Sequence, residues 1–307
     1  MHVCRNCGSQ NLRDLGFTGE VAPFFLKRVL NMEIGNSVAR HPLRILARRI
    51  CDLPQRFLSK VYGAGVFVEM QICRDCSFVQ TKHAFCDEDL RRLYADYRTA
   101  SYNEERIRYE PTYASLAKYV GVGNQEVECR VGGLTEWLAD KIHPGEGFSM
   151  LDFGGSDGRF LPRIEGKKLV YEISNTLPLP GIERIADEAD LKTYSYVQIA
   201  HVLEHVPEPL SLLKRVAKLV EPSGYLYIEV PQDLTDAEID GLKSGRLKRG
   251  LTVHEHINVY CPTSIRRLVE ASGLVPACVE STRIDLGWIT GTNVRALCRK
   301  VALQGHM

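Results

Sequence analysis

The stretch Leu151-Asp152-Phe153-Gly154-Gly155-Ser156-Asp157-Gly158 decides the fold. An apolar run that breaks into a glycine-rich turn ahead of a predicted helix is typical of a nucleotide-binding corner in an α/β sheet. Glycines allow positive φ angles and a close approach of the backbone to a ligand. A dinucleotide fingerprint read from Gly154 requires glycines where Ser156 and Arg159 stand. The pattern therefore disfavours a pyrophosphate-bearing cofactor and, with it, NAD-dependent redox chemistry.

The remaining pattern is Asp152-x-Gly154-x-x-x-Gly158, and the next apolar run, 168–173, contains Glu172. It favours a ligand that has a ribose diol but no pyrophosphate, and S-adenosylmethionine is such a ligand. Asp152 can hold the turn or the ligand's ammonium group, and Glu172 can accept hydrogen bonds from both ribose hydroxyls. Gly155 and Ser156 complete the predicted cofactor turn. The alternative is a purely structural corner between a strand and a helix.

Length and composition set the class of protein. A chain of 307 residues predicts about two domains. Its net charge of +1 gives no overall case for nucleic-acid binding. Because the sequence shows neither a secretory signal nor an apolar run of about 18 residues, we expect a cytoplasmic protein without a transmembrane segment. The ten cysteines then indicate metal ligands and buried thiols rather than a disulfide framework.

Four of these cysteines form two C-x-x-C knuckles, Cys4-Arg-Asn-Cys7 and Cys73-Arg-Asp-Cys76. Two such pairs are typical of a tetrahedral structural zinc site, and four thiolates leave no coordination position for a catalytic water. Gly8 and Ser77 follow the knuckles and favour the tight turns that bring two sulfurs to one ion. A redox C-x-x-C and reduced structural cysteines are the alternatives.

The segment 21–62, inserted between the knuckles, is basic. Prolines at 42 and 54 and apolar residues at helical spacing predict two short amphipathic helices. One interpretation is a hairpin that contacts a membrane surface or the phosphate of a lipid-linked or phosphorylated substrate. The other is a helical cap with a solvated basic face.

The rest of the chain predicts a helical lead-in from residue 87 and then a mostly parallel α/β sheet. We therefore expect a zinc-binding domain at 1–86 and a second domain at 87–307. The helical patterns lie at 87–94, 102–109, 134–142, 208–219 and 262–271. The predicted strands are 148–153, 168–173, 181–185, 195–202, 225–230, 275–279 and 294–298.

With the glycine turn, Glu172, His201-Val-Leu-Glu-His-Val206 and 219–231 in this order, the chain resembles class I S-adenosylmethionine-dependent methyltransferases over roughly 97–300. The front knuckles and His254-Glu-His-Ile-Asn-Val-Tyr260 look like the sugar C-methyltransferase group. The resemblance implies a Rossmann-like seven-stranded sheet whose last strand, 294–298, runs antiparallel. The group carries a further C-terminal domain, whereas this sequence ends just past its last predicted strand. We therefore expect one of two things. Either the insertion 21–62 supplies the substrate contacts, or the substrate is a different kind of molecule.

The resemblance also implies roles for individual residues. His256 is expected to act as general base, His205 to polarise or protonate the acceptor oxygen, and Glu255 to orient the substrate or a partner. Tyr97 is expected to reach the site from the lead-in. Asp187 stands where such enzymes contact the adenine amino group, and His201 is assigned to the cofactor. Histidine suits base catalysis because its ordinary pKa lies near neutrality.

The predicted function is methyl transfer to the carbon or oxygen of a small molecule, most plainly a sugar or sugar-like metabolite. Alternative acceptors are a lipid-linked glycan, a natural product or RNA, although the insertion lacks the interleaved aromatics of a single-strand platform. A non-catalytic zinc-knuckle interaction protein is a third class. A metal bound by His254 and His256 with Glu204 or His205 is an alternative to base catalysis.

Overall fold

The structure, a computed structural model, describes residues 3–31, 59–62, 65–97, 99–117, 119–120, 124–287 and 289–300. The predicted helices around Pro42 and Pro54 lie outside these residues. The chain divides into two compact units. The first unit comprises Met1–Ala117, Glu204–Pro207 and Leu234–Val259, and the second unit comprises Lys118–Leu203, Glu208–Asp233 and Tyr260–Met307. The domain boundary expected after residue 86 stays a prediction.

The described residues form thirteen strands, eight α-helices and one 3₁₀ helix, in the following order along the chain. They are β1 (Leu12–Val21), α1 (Pro23–Leu30), β2 (Ser59–Tyr62), β3 (Gly65–Cys73), β4 (Val79–Thr81), α2 (Asp87–Tyr94), α3 (Ala100–Tyr109), α4 (Tyr113–Leu116), α5 (Asn124–Leu138), β5 (Ser149–Phe153), β6 (Lys167–Tyr171), β7 (Ile182–Ile185), a 3₁₀ helix (Glu188–Asp190), β8 (Tyr194–Ala200), α6 (Pro209–Lys218), β9 (Val220–Pro231), α7 (Asp236–Ser244), β10 (Leu251–Val253), β11 (Asn258–Val259), α8 (Pro262–Ala271), β12 (Val275–Asp285) and β13 (Thr290–Arg299).

The first unit is built on a sheet of order β10-β1-β3-β4-β11, with β2 paired to β3. Strand β3 ends at Cys73, so the ladder itself delivers the second knuckle. Helix α3 begins after Thr99, whose Oγ1 accepts a hydrogen bond from the backbone N–H of Tyr102 at 3.2 Å. Tyr102 and Arg106 are four residues apart on this helix and therefore share one face.

The second unit contains the described seven-stranded sheet, of order β12-β13-β9-β8-β5-β6-β7. Strands β7, β6, β5, β8 and β9 are parallel, and β13 is antiparallel to both β9 and β12. The predicted α/β fold and the antiparallel last strand are confirmed. Parallel strands end at one edge of a sheet, so the loops that follow β5, β6, β7 and β8 open on the same side.

The prediction of a helix directly after the glycine turn is wrong. Residues 154–166, all described, form turns and bends between β5 and β6. Gly154, Ser156 and Gly158 have φ angles of 76°, 57° and 80°, which a right-handed helix excludes. Three left-handed residues in five break the chain direction repeatedly, so the turn remains a loop. The connection between β7 and β8 contains a 3₁₀ helix rather than an α-helix.

Within the described residues, none of the helices combines the length and apolarity that crossing a bilayer requires.

Candidate active site

The four knuckle cysteines converge in the first unit. Their sulfurs lie within 4.8 Å of one another, with 3.6 Å between Cys4 and Cys76 and 3.8 Å between Cys7 and Cys73. Four sulfurs around a zinc ion at about 2.3 Å are spaced by roughly 3.8 Å, so the cluster has the size of a tetrahedral thiolate site. Gly8 and Ser77, at φ 78° and 65°, make the turns that close the two knuckles.

The ionisation of these thiols also favours a cation. The hydrogen bond with Cys73, together with burial, raises the pKa of Cys4 to about 12. Hydrogen bonds from Cys4 and Cys76 instead lower the pKa of Cys73. The buried sulfurs thus compete for one negative charge, whereas a bound divalent metal stabilises four thiolates together. The described residues can hold a structural metal here.

The predicted cofactor turn lies in the second unit, at the carboxyl end of β5. The carboxylate of Glu172 accepts a hydrogen bond from the backbone N–H of Ser156 at 3.0 Å and from that of Ser174 at 2.8 Å. Glu172 therefore ties the loop after β6 to the turn after β5. The sequence placed these residues in one site, and the sheet order brings them together.

Asp152 and Gly155 form the tightest contact of this turn. A Cβ atom on Gly155 would lie 2.1 Å from Cγ of Asp152, so only glycine fits above the carboxylate. Burial raises the pKa of Asp152 to about 7, although the Arg130 guanidinium acts in the opposite direction. A buried carboxyl with a raised pKa at the end of β5 is a candidate for a functional position.

Asp187 and His201 follow β7 and β8. Asp187 is exposed and caps the 3₁₀ helix, with Oδ1 accepting from the backbone N–H of Ala189 at 2.9 Å. His201 has a left-handed φ of 55°, and its Nε2 lies 3.0 Å from Oε1 of Glu229. Both residues lie at the loop edge of the sheet with Glu172 and the glycine turn.

Glu229, which the sequence pattern did not single out, is the centre of a buried network in this unit. Its carboxylate accepts hydrogen bonds from Arg130, Asn293 and His201 at 3.0 Å each. Tyr227 donates a further bond of 2.5 Å. Burial would raise the pKa of Glu229, but the Arg130 guanidinium holds it well below its ordinary value. Its only sequence signal was a lone acid within an apolar strand.

The predicted catalytic histidines lie in the first unit. Nδ1 of His205 lies 3.0 Å from the carbonyl oxygen of Glu255 and 2.8 Å from the hydroxyl of Tyr94. Because a carbonyl can only accept, Nδ1 bonds to Glu255 only when it carries the proton, and Nε2 lies 3.6 Å from Oε1 of the buried Glu204. Burial lowers the pKa of His205, so its imidazole is neutral at pH 7. The ring centroid of His256 is 5.0 Å away.

The carboxylate of Glu255 has partners other than the imidazoles of His205 and His256. Its carboxylate forms an ion pair with Arg106 and receives a 3.5 Å hydrogen bond from Tyr102. Burial would raise the pKa of Glu255, but Arg106 and the nearby histidines lower it. The backbone N–H of Glu255 donates to Nδ1 of His254 at 2.8 Å. Glu255 thus holds the segment that carries His256.

Tyr97 belongs to a row of aromatic rings in the same unit. Its ring packs edge to face between those of Tyr94 and Tyr102, at centroid distances of 5.2 Å each. Ligand atoms of Glu204, His205 and His256 lie within 4.8 Å of one another. The metal-bound alternative would therefore use these three residues. The structure gathers the predicted catalytic residues around His205 and the predicted cofactor residues around the glycine turn.

Known proteins resemble this chain in sequence and fold. Over 130 residues the chain is 29% identical to a ubiquinone biosynthesis O-methyltransferase of Paracidovorax citrulli, which covers 41% of this chain and 49% of that protein. It is 48% identical over 105 residues to the Vibrio cholerae protein of the same name, covering 33% and 39%. The chain thus spans less than half the length of these two relatives.

Solved structures with a similar fold include magnesium protoporphyrin IX methyltransferase from Synechocystis, at 18% identity and a TM-score of 0.45, covering 69% of this chain and 99% of that one. Another is 1,6-didemethyltoxoflavin-N1-methyltransferase from Burkholderia thailandensis, at 14% identity and a TM-score of 0.43, covering 64% and 90%.

The described sheet order, with an antiparallel last strand between β9 and β12, is that of a class I methyltransferase. The model of the methyltransferase domain family matches residues 88–279, more than half of the chain, and the chain belongs to this family. The prediction of a class I S-adenosylmethionine-dependent methyltransferase is confirmed at the level of that class.

Proposed function

We propose that the protein transfers a methyl group from S-adenosylmethionine to a small molecule, most plainly a sugar or sugar-like metabolite, with His256 as general base. The observation that carries this proposal is the pair of adjacent imidazoles, of which His205 stays neutral because burial lowers its pKa. Such a pair can receive a proton from an acceptor at neutral pH.

Cofactor binding is assigned to the loop edge of the second unit. Glu172 is proposed to accept hydrogen bonds from the ribose hydroxyls, and Asp187 to receive one from the adenine amino group. Gly154, Gly155, Ser156 and Gly158 bring the backbone close to the ligand, and Asp152 holds the turn from below. When bound, the cofactor supplies an electrophilic methyl group on a sulfonium. The residues of this turn orient it for in-line displacement.

Acceptor activation is assigned to the first unit. For O-methylation, the acceptor's hydroxyl proton moves to His256 while the O–CH₃ bond forms and the C–S bond breaks, releasing a neutral thioether. For C-methylation, the proton removed lies α to a ketone, and the resulting enolate carbon attacks. His205 is proposed to polarise or protonate the acceptor oxygen, and Glu255 to position the segment through Arg106. Tyr97 is proposed to pack against the acceptor ring.

The cysteine cluster is proposed to bind one structural zinc ion. The sulfur spacing and the four soft thiolate donors fit zinc, and the closed set assigns it a folding role rather than a chemical one. Two further proposals rest on the sequence alone. They are a cytoplasmic location and a contact of the segment 21–62 with a phosphate or a membrane surface.

A second acceptor class is a phenolic hydroxyl, favoured by the similarity to ubiquinone biosynthesis O-methyltransferases. A phenol ring suits the edge-to-face row of Tyr94, Tyr97 and Tyr102 as well as a pyranose does. Its lower pKa also makes a smaller demand on the base.

The test is a transfer assay with methyl-labelled S-adenosylmethionine against three panels: nucleotide-linked and free keto- and hydroxy-sugars, polyhydroxylated phenols, and RNA. Label in a sugar supports the first acceptor class, and label in a phenol replaces it with the second. Failure of the wild-type protein to bind S-adenosylhomocysteine would contradict the proposal. A second metal ion per chain that is needed for turnover would contradict the role given to His256.

A further inference from the structure

The Glu229 network in the second unit has no place in the steps described above. Glu229 lies near the carboxyl end of β9 with its side chain only 9% exposed, yet it contacts His201, whose side chain is 31% exposed. The network therefore reaches from the interior of the sheet to the loop edge where the cofactor residues lie. This geometry links a buried charge to a surface imidazole.

The network fixes the hydrogen-bonding state of His201. Glu229 is ionised beside Arg130 and can only accept, so Nε2 of His201, at 3.0 Å, must carry a proton. Asn293 then donates to Glu229 at 3.0 Å rather than to the ring. Nδ1 lies on the other side of the ring from Glu229.

The backbone of His201 is fixed by the same residue. Its N–H donates to the carbonyl oxygen of Glu229 at 2.8 Å, and its φ of 55° is a strained value for a residue that is not glycine. The next residue, Val202, packs on the glycine turn, because a Cβ on Gly154 would lie 2.9 Å from its Cγ2. Both ends of His201 are thus held beside the turn.

The sheet order indicates which part of the cofactor His201 meets. In the order β7-β6-β5-β8, the strand ends carry Asp187, Glu172, the glycine turn and His201 in succession. Adenine and ribose are assigned to the first two positions. The remaining part of S-adenosylmethionine, the amino-acid end with its ammonium and carboxylate, falls on the β8 side of the turn.

We propose that Glu229 is a positioning residue for cofactor binding, which holds His201 so that its imidazole contacts the amino-acid end of the cofactor. The proposal rests on the proposed function, because it requires the glycine turn to bind S-adenosylmethionine. Arg130 and Asn293 act through Glu229 and not on the ligand.

The experiment compares the binding of S-adenosylhomocysteine with that of 5′-methylthioadenosine, which has the same adenine and ribose but no amino-acid end. Calorimetric titrations are made on the full chain as wild type, Glu229→Gln and the control Glu280→Gln. Glu280 pairs with Arg295 in the same sheet, away from the turn. We expect Glu229→Gln to weaken S-adenosylhomocysteine binding about tenfold, as for one charge-assisted hydrogen bond, and to leave methylthioadenosine within about twofold.

An equal loss for both ligands, or no loss for either, overturns the proposal, because a merely structural Glu229 would not distinguish them. Wild-type protein that binds neither ligand contradicts the proposed function instead. The double variant Glu229→Gln with His201→Ala should lose no more affinity than His201→Ala alone, since Glu229 acts through the imidazole.

Where Glu229→Gln does not fold, Tyr227→Phe takes its place, because it removes one donor to Glu229 and keeps every charge. We then expect about a threefold loss for S-adenosylhomocysteine only. An unchanged affinity ratio of the two ligands in both Tyr227→Phe and His201→Ala overturns the proposal.

Discussion

Each unit buries a glutamate against an arginine beside a histidine, and the two pairs differ in what holds their backbone. In the first unit Glu255 pairs with Arg106, which also contacts Glu110 one helical turn on. In the second unit Glu229 pairs with Arg130, which also contacts Glu126 one turn back.

Glu229 lies on β9, between β8 and β13, so its backbone is fixed by two ladders. Glu255 lies in an irregular segment between β10 and β11, where the ion pair and the hydrogen bond to His254 must hold the chain. The ion pair of Glu229 with Arg130 therefore only has to orient side chains, because the neighbouring strands already fix the backbone. The ion pair of Glu255 with Arg106 must also hold the backbone of its segment, because the position of His256 depends on that backbone.

The largest effect should come from replacing a cysteine of the knuckles, which stabilise the first unit and not the second. Cys73→Ser removes one of four thiolates, and structural zinc in such sites contributes about 10 kcal/mol or more to folding. We expect loss of the one zinc ion per chain by elemental analysis and loss of cooperative unfolding of this unit. Cys129→Ser, at an exposed cysteine, should keep both. Retention of zinc by Cys73→Ser would exclude the four-cysteine site.

The next effect concerns the imidazole pair. His256→Ala should lower kcat by about 10²- to 10⁴-fold, the usual worth of a general base. The affinity for S-adenosylhomocysteine should stay within about twofold, because the proposed cofactor residues belong to the second unit. His143→Ala, at an exposed histidine, is the control. A variant that keeps kcat and loses cofactor affinity would reverse the assignment of the two units.

The sequence predicted what is encoded locally. Cysteine spacing, glycines at positive φ and apolar runs located the knuckles, the turn and most of the strands. The Glu229 network escaped because Arg130 and Asn293 are 99 and 64 residues away from it in the chain. A local pattern cannot report such partners. The helix after the turn was wrong because the left-handed angle of Ser156, a residue that is not glycine, is set by its bond to Glu172.

The two arginines test the comparison directly. Arg106→Met and Arg130→Met each leave a buried carboxylate without its main counter-charge, which costs about 3–5 kcal/mol of unfolding free energy. Denaturant titration should give similar losses for both. The functional losses should differ: Arg106→Met should lower kcat because the His256 segment shifts, and Arg130→Met should weaken cofactor binding. Identical kinetic profiles would remove the distinction between the two pairs.

The buried carboxyl of Asp152 predicts a pH dependence that belongs to the second unit. Its folded pKa of about 7 lies above the ordinary aspartate value of 3.8, so the folded state binds the proton more tightly. The stability contributed by Asp152 is therefore fully present at low pH and is lost as the pH rises towards 7, at up to about 1.4 kcal/mol per pH unit. Relative to wild type, Asp152→Asn should become more stable between about pH 4 and 7, with no further change above. A stability difference that is independent of pH would contradict this.

The smallest effect separates the glycine that the turn requires from one that the fold tolerates. Gly155→Ala places a Cβ against the buried carboxylate of Asp152 and should cost about 1–3 kcal/mol, as overpacking does. Gly132→Ala, in α5 with no atom within 4 Å of the added Cβ, should gain about 0.5–1 kcal/mol through helix propensity. Thermal unfolding measures both. Because the added Cβ must displace either Asp152 or the turn that Glu172 holds through Ser156, Gly155→Ala should also weaken cofactor binding, whereas Gly132→Ala should not.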